Sequence, residues 1–342
     1  MIRMKPIQRL LVATDAWTPQ VNGVVRTLET TIARLREMEI AVEVIEPEAF
    51  SGFPLPFYRE IKLCIPEMNV IGRRVSEFRP DAVHISTEGP VGVLMREFCR
   101  RRRWRFTTSY HTKFPEYLHE MLRIPTAAGY RWMRWFHSAS SAIMVATPSL
   151  EAELRERRFP ERFRRWSRGV DLTLFHPRED CRLPYPGPIV LYAGRVSKEK
   201  NIEAFLSLSL PGTKVIVGDG PIRASLEKQY PDAVFVGYKR GEELARMYAG
   251  ADVFVFPSRT DTFGMVMIEA MACGIPVAAY PAIGPIDIVT HPGVGTLDAD
   301  LGVAIRGALR DGNANACVEH ARGYTWERCT GQFYDSLVRV RG

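Results

Sequence analysis

Two carboxylates eight residues apart mark the most chemically loaded stretch of this 342-residue chain. Residues 252–280 read DVFVFPSRTDTFGMVMIEAMACGIPVAAY. An apolar run ends at Pro257, and Asp261 follows in a polar loop. Gly264 opens a helical pattern, and Glu269 lies on it among apolar and small neighbours. Carboxylates in such positions accept hydrogen bonds from vicinal hydroxyls, on a ribose or a hexose. The helix start at Phe263, Gly264 and Met265 turns backbone N–H groups toward the same place.

Cations stand at another strand–helix junction. IVLYAGR ends at Arg195, and Lys200 comes five residues later. Two cations there suit a diphosphate and the charge that grows on a departing nucleotide. VIVGDGP places Gly218 and Gly220 after a further strand, in what resembles a nucleotide-facing turn, although G-D-G is a common turn sequence. Near the start, Gly23 in TPQVNGVVRTL falls where a loop becomes a helix, where an anion is favoured. Its spacing is not G-x-G-x-x-G, which argues against a nicotinamide enzyme. His111, in SYHTKFPEY, follows a strand and can orient a substrate or handle a proton. An acidic D-A-D at 298–300 lies far from these strand ends and reads as a surface feature.

The elements behind these residues alternate between strand-like and helix-like patterns, as in parallel sheets covered by helices. QRLLVATD, AVEVIEP, IKLCIP, DAVHIST, RFTTSY and SAIMVAT are strands of the first half. IVLYAGR, TKVIVGDG, AVFVGY, DVFVFPS and IPVAAY are those of the second. Between them LTLFHPREDCRLPYPGP is proline-rich and aperiodic, the mark of a linker. The expected organisation is a first domain over 1–172, a linker at 173–187, a second domain over 188–322 and a terminal helix over 323–342. That helix carries Trp326, Cys329, Phe333, Leu337 and Val340 on one face.

Composition excludes several classes. No run of about 18 apolar residues exists, the N-terminal LLVA is too short for a signal peptide, and no C-x-x-C pair occurs among six cysteines. A cytoplasmic protein with reduced thiols is expected. The net charge of +7 is one-sided: residues 96–168 hold 17 basic and 7 acidic side chains, whereas residues 181–342 hold 17 of each. The basic stretch interleaves aromatics in RRRWRF, YRWMRWF and RRFPERFRRW, which suits an anionic membrane surface. Nucleic acid would explain the charge but not the acidic crevice.

Taken together, PSRTDTFGMVMIEAMACGIPVAA, PQVNGVVRTL, SYHTKFPEYL, RGVD with LFHP, GRVSKEKN and VGDGP resemble the retaining glycosyltransferases of family 4. The branch with Asp as the first acid of the E-x₇-E segment is similar to sulfoquinovosyl-diacylglycerol synthases and related lipid glycosyl- and mannosyltransferases. The resemblance implies a GT-B fold, two Rossmann-like doubly wound α/β domains facing across a cleft. It implies that Arg195 and Lys200 hold the donor diphosphate and that Glu269 takes the ribose hydroxyls. Asp261, with the backbone at Phe263–Met265, would hold the transferred sugar. Gly23 would let the first domain reach the donor, and His111 would contact the sugar. The expected reaction moves a hexose from a nucleotide sugar, a UDP-sugar by preference, to a membrane lipid such as diacylglycerol, with no metal or cofactor, on the inner face of the cytoplasmic membrane. GDP-mannose-dependent transfer, a GT-B nucleotide-sugar epimerase and a non-catalytic nucleotide-sugar-binding protein are the alternatives.

Overall fold

A computed structural model describes residues 6–20, 22–55 and 58–341, so Val21 of the PQVNG motif lies outside the described residues. The chain forms two compact units, Met1–Ser167 with Glu327–Gly342, and Arg168–Trp326.

The first unit holds a six-stranded parallel sheet built from β1 (Arg9–Ala13), β2 (Ala41–Ile45), β5 (Ala82–Ile85), β6 (Thr107–Ser109), β7 (Ala142–Val145) and β8 (Phe163–Arg165). Their order is β2-β1-β5-β6-β7-β8. β5 and β7 are buried at every position, which is how a strand covered on both faces reads. β3 (Gly52–Leu55) and β4 (Tyr58–Cys64) form a separate antiparallel hairpin. IKLCIP, expected in the main sheet, therefore pairs locally instead. Its pattern specifies a strand but not the strand's partner.

The chain returns to this unit at its end. The helix Trp326–Ser336 places Phe333 4.6 Å from the Trp166 ring and 4.9 Å from the His84 ring. Arg339 pairs with Asp81 at 2.7 Å, and Val340 N–H donates to Asp81 O at 2.8 Å. Behind Phe333, His84 is buried with one ring nitrogen 2.9 Å from Thr107 Oγ1 and the other 2.8 Å from Ser109 Oγ.

The second unit holds β9 (Ile189–Ala193), β10 (Thr213–Val217), β11 (Val234–Gly237), β12 (Val253–Phe256), β13 (Val277–Ala279) and β14 (Gly295–Leu297). All neighbours run parallel, in the order β11-β10-β9-β12-β13-β14. Counted within the unit this is 3-2-1-4-5-6, the Rossmann order. Every residue of β9 and β12 is buried.

Residues 173–187, expected as a linker, belong to this unit and pack on it. Phe175 is buried with its ring 5.9 Å from Tyr248, and Arg178 pairs with Glu242. An aperiodic, proline-rich sequence marks a segment without helix or strand, and such a segment still packs when it carries a Phe and an Arg with partners.

Candidate functional site

In the second sheet the strand order reverses between β9 and β12. Ligands of open α/β sheets bind beyond the carboxyl ends at that point. Arg195 lies two residues past β9 and Asp261 five past β12, so the switch point carries both loops that the sequence singled out.

Lys200 Nζ donates to Asp261 Oδ1 at 2.6 Å, with both side chains mostly shielded. Asp261 Oδ2 is buried without a hydrogen-bond partner, as is Ser258 Oγ nearby. An uncompensated buried acceptor costs about 1–3 kcal/mol. A ligand hydroxyl donating to Oδ2 would recover that cost.

The two loops are tied together. Asn201, in the left-handed region at φ 53°, donates its side-chain amide to Pro257 O at 3.1 Å. Thr260 Oγ1 donates to Glu199 O at 3.3 Å. Tyr192 donates its hydroxyl to Arg195 O at 2.7 Å, and burial raises its pKa so that it remains a donor. The arrangement is preorganised, because its geometry rests on backbone carbonyls rather than on long mobile side chains.

Gly264 begins the helix Met265–Ala272 at φ +91°, where a side chain would lie 2.6 Å from Met267 Cε and 2.8 Å from Phe256 Cζ. Gly264, at the cap position, has no side chain of its own with which to cap that helix. Phe263 is buried, 5.9 Å from the Tyr324 ring. Glu269 is 1% exposed, and Tyr248 donates to its Oε2 at 3.1 Å. The sequence offered no signal for Tyr248 as a partner beyond its place on an amphipathic helix, Gly241–Ala249.

Gly218 has an internal reason to be glycine. At φ +142°, a Cβ there would lie 1.8 Å from Gly194 O, and one at Gly220 would lie 2.2 Å from Val196 O. The G-D-G turn is thus required by the close approach of the loop after β9. D-A-D at 298–300 is a helix cap: Asp300 accepts from Gly302 N–H at 2.7 Å and Val303 N–H at 3.2 Å. Among the described residues, no group of three His, Cys, Asp or Glu could hold a metal ion.

In the first unit, His111 is 7% exposed, with Nε2 2.9 Å from Ser86 Oγ and its ring 5.3 Å from Trp166. Ser86 follows β5, so His111 belongs to the strand ends at this sheet's own reversal of order, between β1 and β5. At Gly23 the expected anion site is partly filled by the protein. Asn22 Oδ1 accepts from Val24 N–H and Val25 N–H, each at 3.0 Å, and so takes the first donors of the helix Gly23–Glu37. Asp15, not singled out by its spacing, does the same for the helix Pro90–Arg101. It accepts from Val91 N–H at 2.8 Å, Gly92 N–H at 3.2 Å and Thr87 Oγ1 at 2.8 Å. Burial raises its pKa to about 6 against those bonds.

Known proteins share this chain's sequence as well as its architecture. Residues 21–174 match the model of "Glycosyltransferase Family 4", and residues 187–311 match "Glycosyl transferases group 1". A GDP-mannose-dependent alpha-mannosyltransferase of Mycolicibacterium smegmatis is 32% identical over 84% of this chain and 84% of its own length. The chain is a family 4 glycosyltransferase. The sulfoquinovosyl transferase SQD2 of Arabidopsis thaliana is 31% identical over 79% of this glycosyltransferase, which spans 58% of that relative's length. Among solved structures, sucrose-phosphate synthase from Thermosynechococcus elongatus superposes with a TM-score of 0.78 at 22% identity, over 96% of this chain and 98% of that one. Its fold is therefore GT-B.

The glycosyltransferase's basic stretch is less free than its composition suggests. Arg155 and Arg165 pair with Glu151, Arg157 and Lys113 with Glu153, and Arg100 and Arg101 with Glu97. Arg96 is 3% exposed and donates to Phe136 O at 2.9 Å and Trp135 O at 2.8 Å. Those carbonyls end another helix and need donors.

Proposed function

We propose that this glycosyltransferase moves a hexose, with retention of its anomeric configuration, from a nucleotide diphosphate sugar to a membrane lipid, without a divalent metal. The observation that carries the donor half is the Lys200–Asp261 pair at the switch point, in the loops that also hold Arg195, with Asp261 Oδ2 left for a sugar hydroxyl. Arg195 and Lys200 supply the positive charge that a leaving diphosphate requires. Glu269, buried and bonded to Tyr248, takes the ribose. The family resemblance implies front-face attack, in which the acceptor hydroxyl approaches on the leaving-group face rather than through a carboxylate nucleophile. Its proton passes to a donor phosphate oxygen, and the protein's contribution is orientation and charge. The family resemblance gives His111 the role of positioning the sugar.

Two donor bases remain in play, and guanosine has the better support. The relatives named GDP-mannose-dependent from Mycolicibacterium smegmatis and Mycobacterium tuberculosis match over more than four fifths of both chains. Uridine rests on the resemblance to lipid glucosyl- and glucuronosyltransferases, and on a fold shared with a HepE structure solved with UDP-glucose at 15% identity. The lipid acceptor draws on the likeness to SQD2 and on the basic, aromatic stretch at 96–168. No described helix is long and apolar enough to cross a membrane, and the basic, aromatic stretch suits peripheral attachment. Incubation of the purified protein with GDP-mannose or UDP-glucose, with and without diacylglycerol vesicles, tests the reading. Consumption of GDP-mannose that rises when vesicles are added supports it. Turnover of neither donor would refute it.

A further inference from the structure

The helix Thr126–His137 reads TAAGYRWMRWFH and carries no acidic residue. Its inner face is buried through Gly129, Tyr130, Met133 and Phe136, and it packs closely: a Cβ on Gly129 would lie 2.7 Å from Pro115 Cβ. The opposite face carries Ala128, Arg131, Trp132 and Trp135, all exposed at helical spacing. Trp132 and Trp135 are each 43% exposed, with ring centroids 4.8 Å apart, and Phe114 beside Pro115 is 42% exposed.

Two exposed indoles on one helical turn are costly in water and need a reason. They are also held in place. Arg96, buried beneath, donates to the Trp135 and Phe136 carbonyls and sets its guanidinium 4.1 Å from the Trp135 ring centre. At the start of the same helix lies a cavity of about 340 Å³, lined by Thr126, Tyr130, Arg134, Glu156, Arg157 and Arg158. Arg157 is paired with Glu153 and Glu116, which leaves Arg134 and Arg158 as the cavity's further cations. Aromatic rings that stand proud of a cationic surface match the headgroup layer of an anionic bilayer, where indoles settle among the carbonyls and arginines meet phosphates.

We infer that the outward face of the helix Thr126–His137 is the membrane-docking surface of this glycosyltransferase, with Trp132 and Trp135 entering an anionic headgroup layer and the adjacent arginine-lined cavity taking a lipid phosphate. The inference deepens the lipid reading above and rests on it for its biological sense, but its test does not require transfer. Arg131 and Arg158 face outward and supply charge, while the tryptophans supply insertion.

Co-sedimentation with vesicles of phosphatidylcholine alone, and of phosphatidylcholine with phosphatidylglycerol, provides the test. The wild type is expected to sediment with the anionic vesicles only, and less as salt rises. Trp132→Ser with Trp135→Ser should weaken partitioning about tenfold or more, and Arg131→Ser with Arg158→Ser should flatten its salt dependence. Binding of free GDP or UDP, read by calorimetry, should be unchanged in both variants, which shows that they are folded. Unaltered sedimentation of both variants would overturn the assignment. So would wild-type self-association that the tryptophan changes abolish, in the absence of vesicle uptake, since the face would then meet a second copy. Sedimentation together with transfer only to a soluble sugar would leave the docking surface standing and remove the lipid acceptor. Lipid glycosylation in vesicles that is indifferent to the tryptophan changes would do the reverse.

Discussion

At the scale of the residue, the proposed donor chemistry rests on Arg195, Lys200 and Asp261 at one switch point. Lys200 is already paired with Asp261, so diphosphate binding must share or redirect that ammonium. Lys200→Ala and Arg195→Ala are each expected to lower turnover about a hundredfold or more with the fold intact, the usual cost of removing one preorganised charge from a transition state. Near-normal kcat/KM in both would remove the diphosphate from this junction. Asp261→Asn should lower turnover while sparing the affinity for free nucleotide, and Glu269→Gln should weaken that affinity. Equal losses of nucleotide affinity would contradict the division between sugar and ribose. His84 offers a pH prediction. Burial pushes its imidazole down to about 3, whereas an unfolded histidine titrates near about 6.5. Between those values only the unfolded chain takes the proton, so stability falls as pH drops from about 6.5 toward about 3. The slope from this group is at most about 1.4 kcal/mol per pH unit. His84→Gln should lose that slope in denaturant titrations from pH 7 down to about pH 5, and parallel curves would show that His84 does not titrate as described. Arg195, Lys200 and Asp261 were legible in the sequence because they follow apolar runs, and strand ends are where such folds place ligands. Asn22, Asp15, Tyr248 and Asn201 were not. Their work is a cap or a bridge to a group 2 to 77 positions away, which no local pattern announces.

At the scale of the element, buried strands were readable and pairing was not. β9 and β12 show themselves as apolar runs, whereas the hairpin of β3 and β4 looks like any other strand until its partner is seen. β8 and β14, three residues each, lack the flanking residues that make the equally short β6 and β13 readable within RFTTSY and IPVAAY. The terminal helix was legible from its apolar face, and the structure supplies what that face meets: Trp166 and His84 around Phe333, which is 1% exposed. Phe333→Ala should therefore destabilise the first unit by about 3–5 kcal/mol, the cost of a large core cavity. Denaturation followed by tryptophan fluorescence would read it through Trp166, and a change below about 1 kcal/mol would mean that the helix is not part of that core.

At the scale of the whole molecule, charge balance was the least reliable guide and motif order the most. Of the 17 basic residues in 96–168, Arg100, Arg101, Lys113, Arg155, Arg157 and Arg165 are paired with Glu97, Glu151 or Glu153, so the charge is less free than composition suggests, although the excess over 7 acids persists. Net charge counts residues without showing which face one another. The six motifs, by contrast, survive as a family assignment because each marks a strand end of one of two doubly wound sheets. The central claim is retaining, metal-free transfer from a nucleotide diphosphate hexose. It is tested most directly by proton NMR of the anomeric signal during turnover of GDP-mannose in EDTA, with UDP-glucose in parallel. The account predicts that one donor is consumed and that the new glycoside appears first in the donor's own α configuration. A β product, or turnover that EDTA abolishes and manganese or magnesium restores, would contradict it.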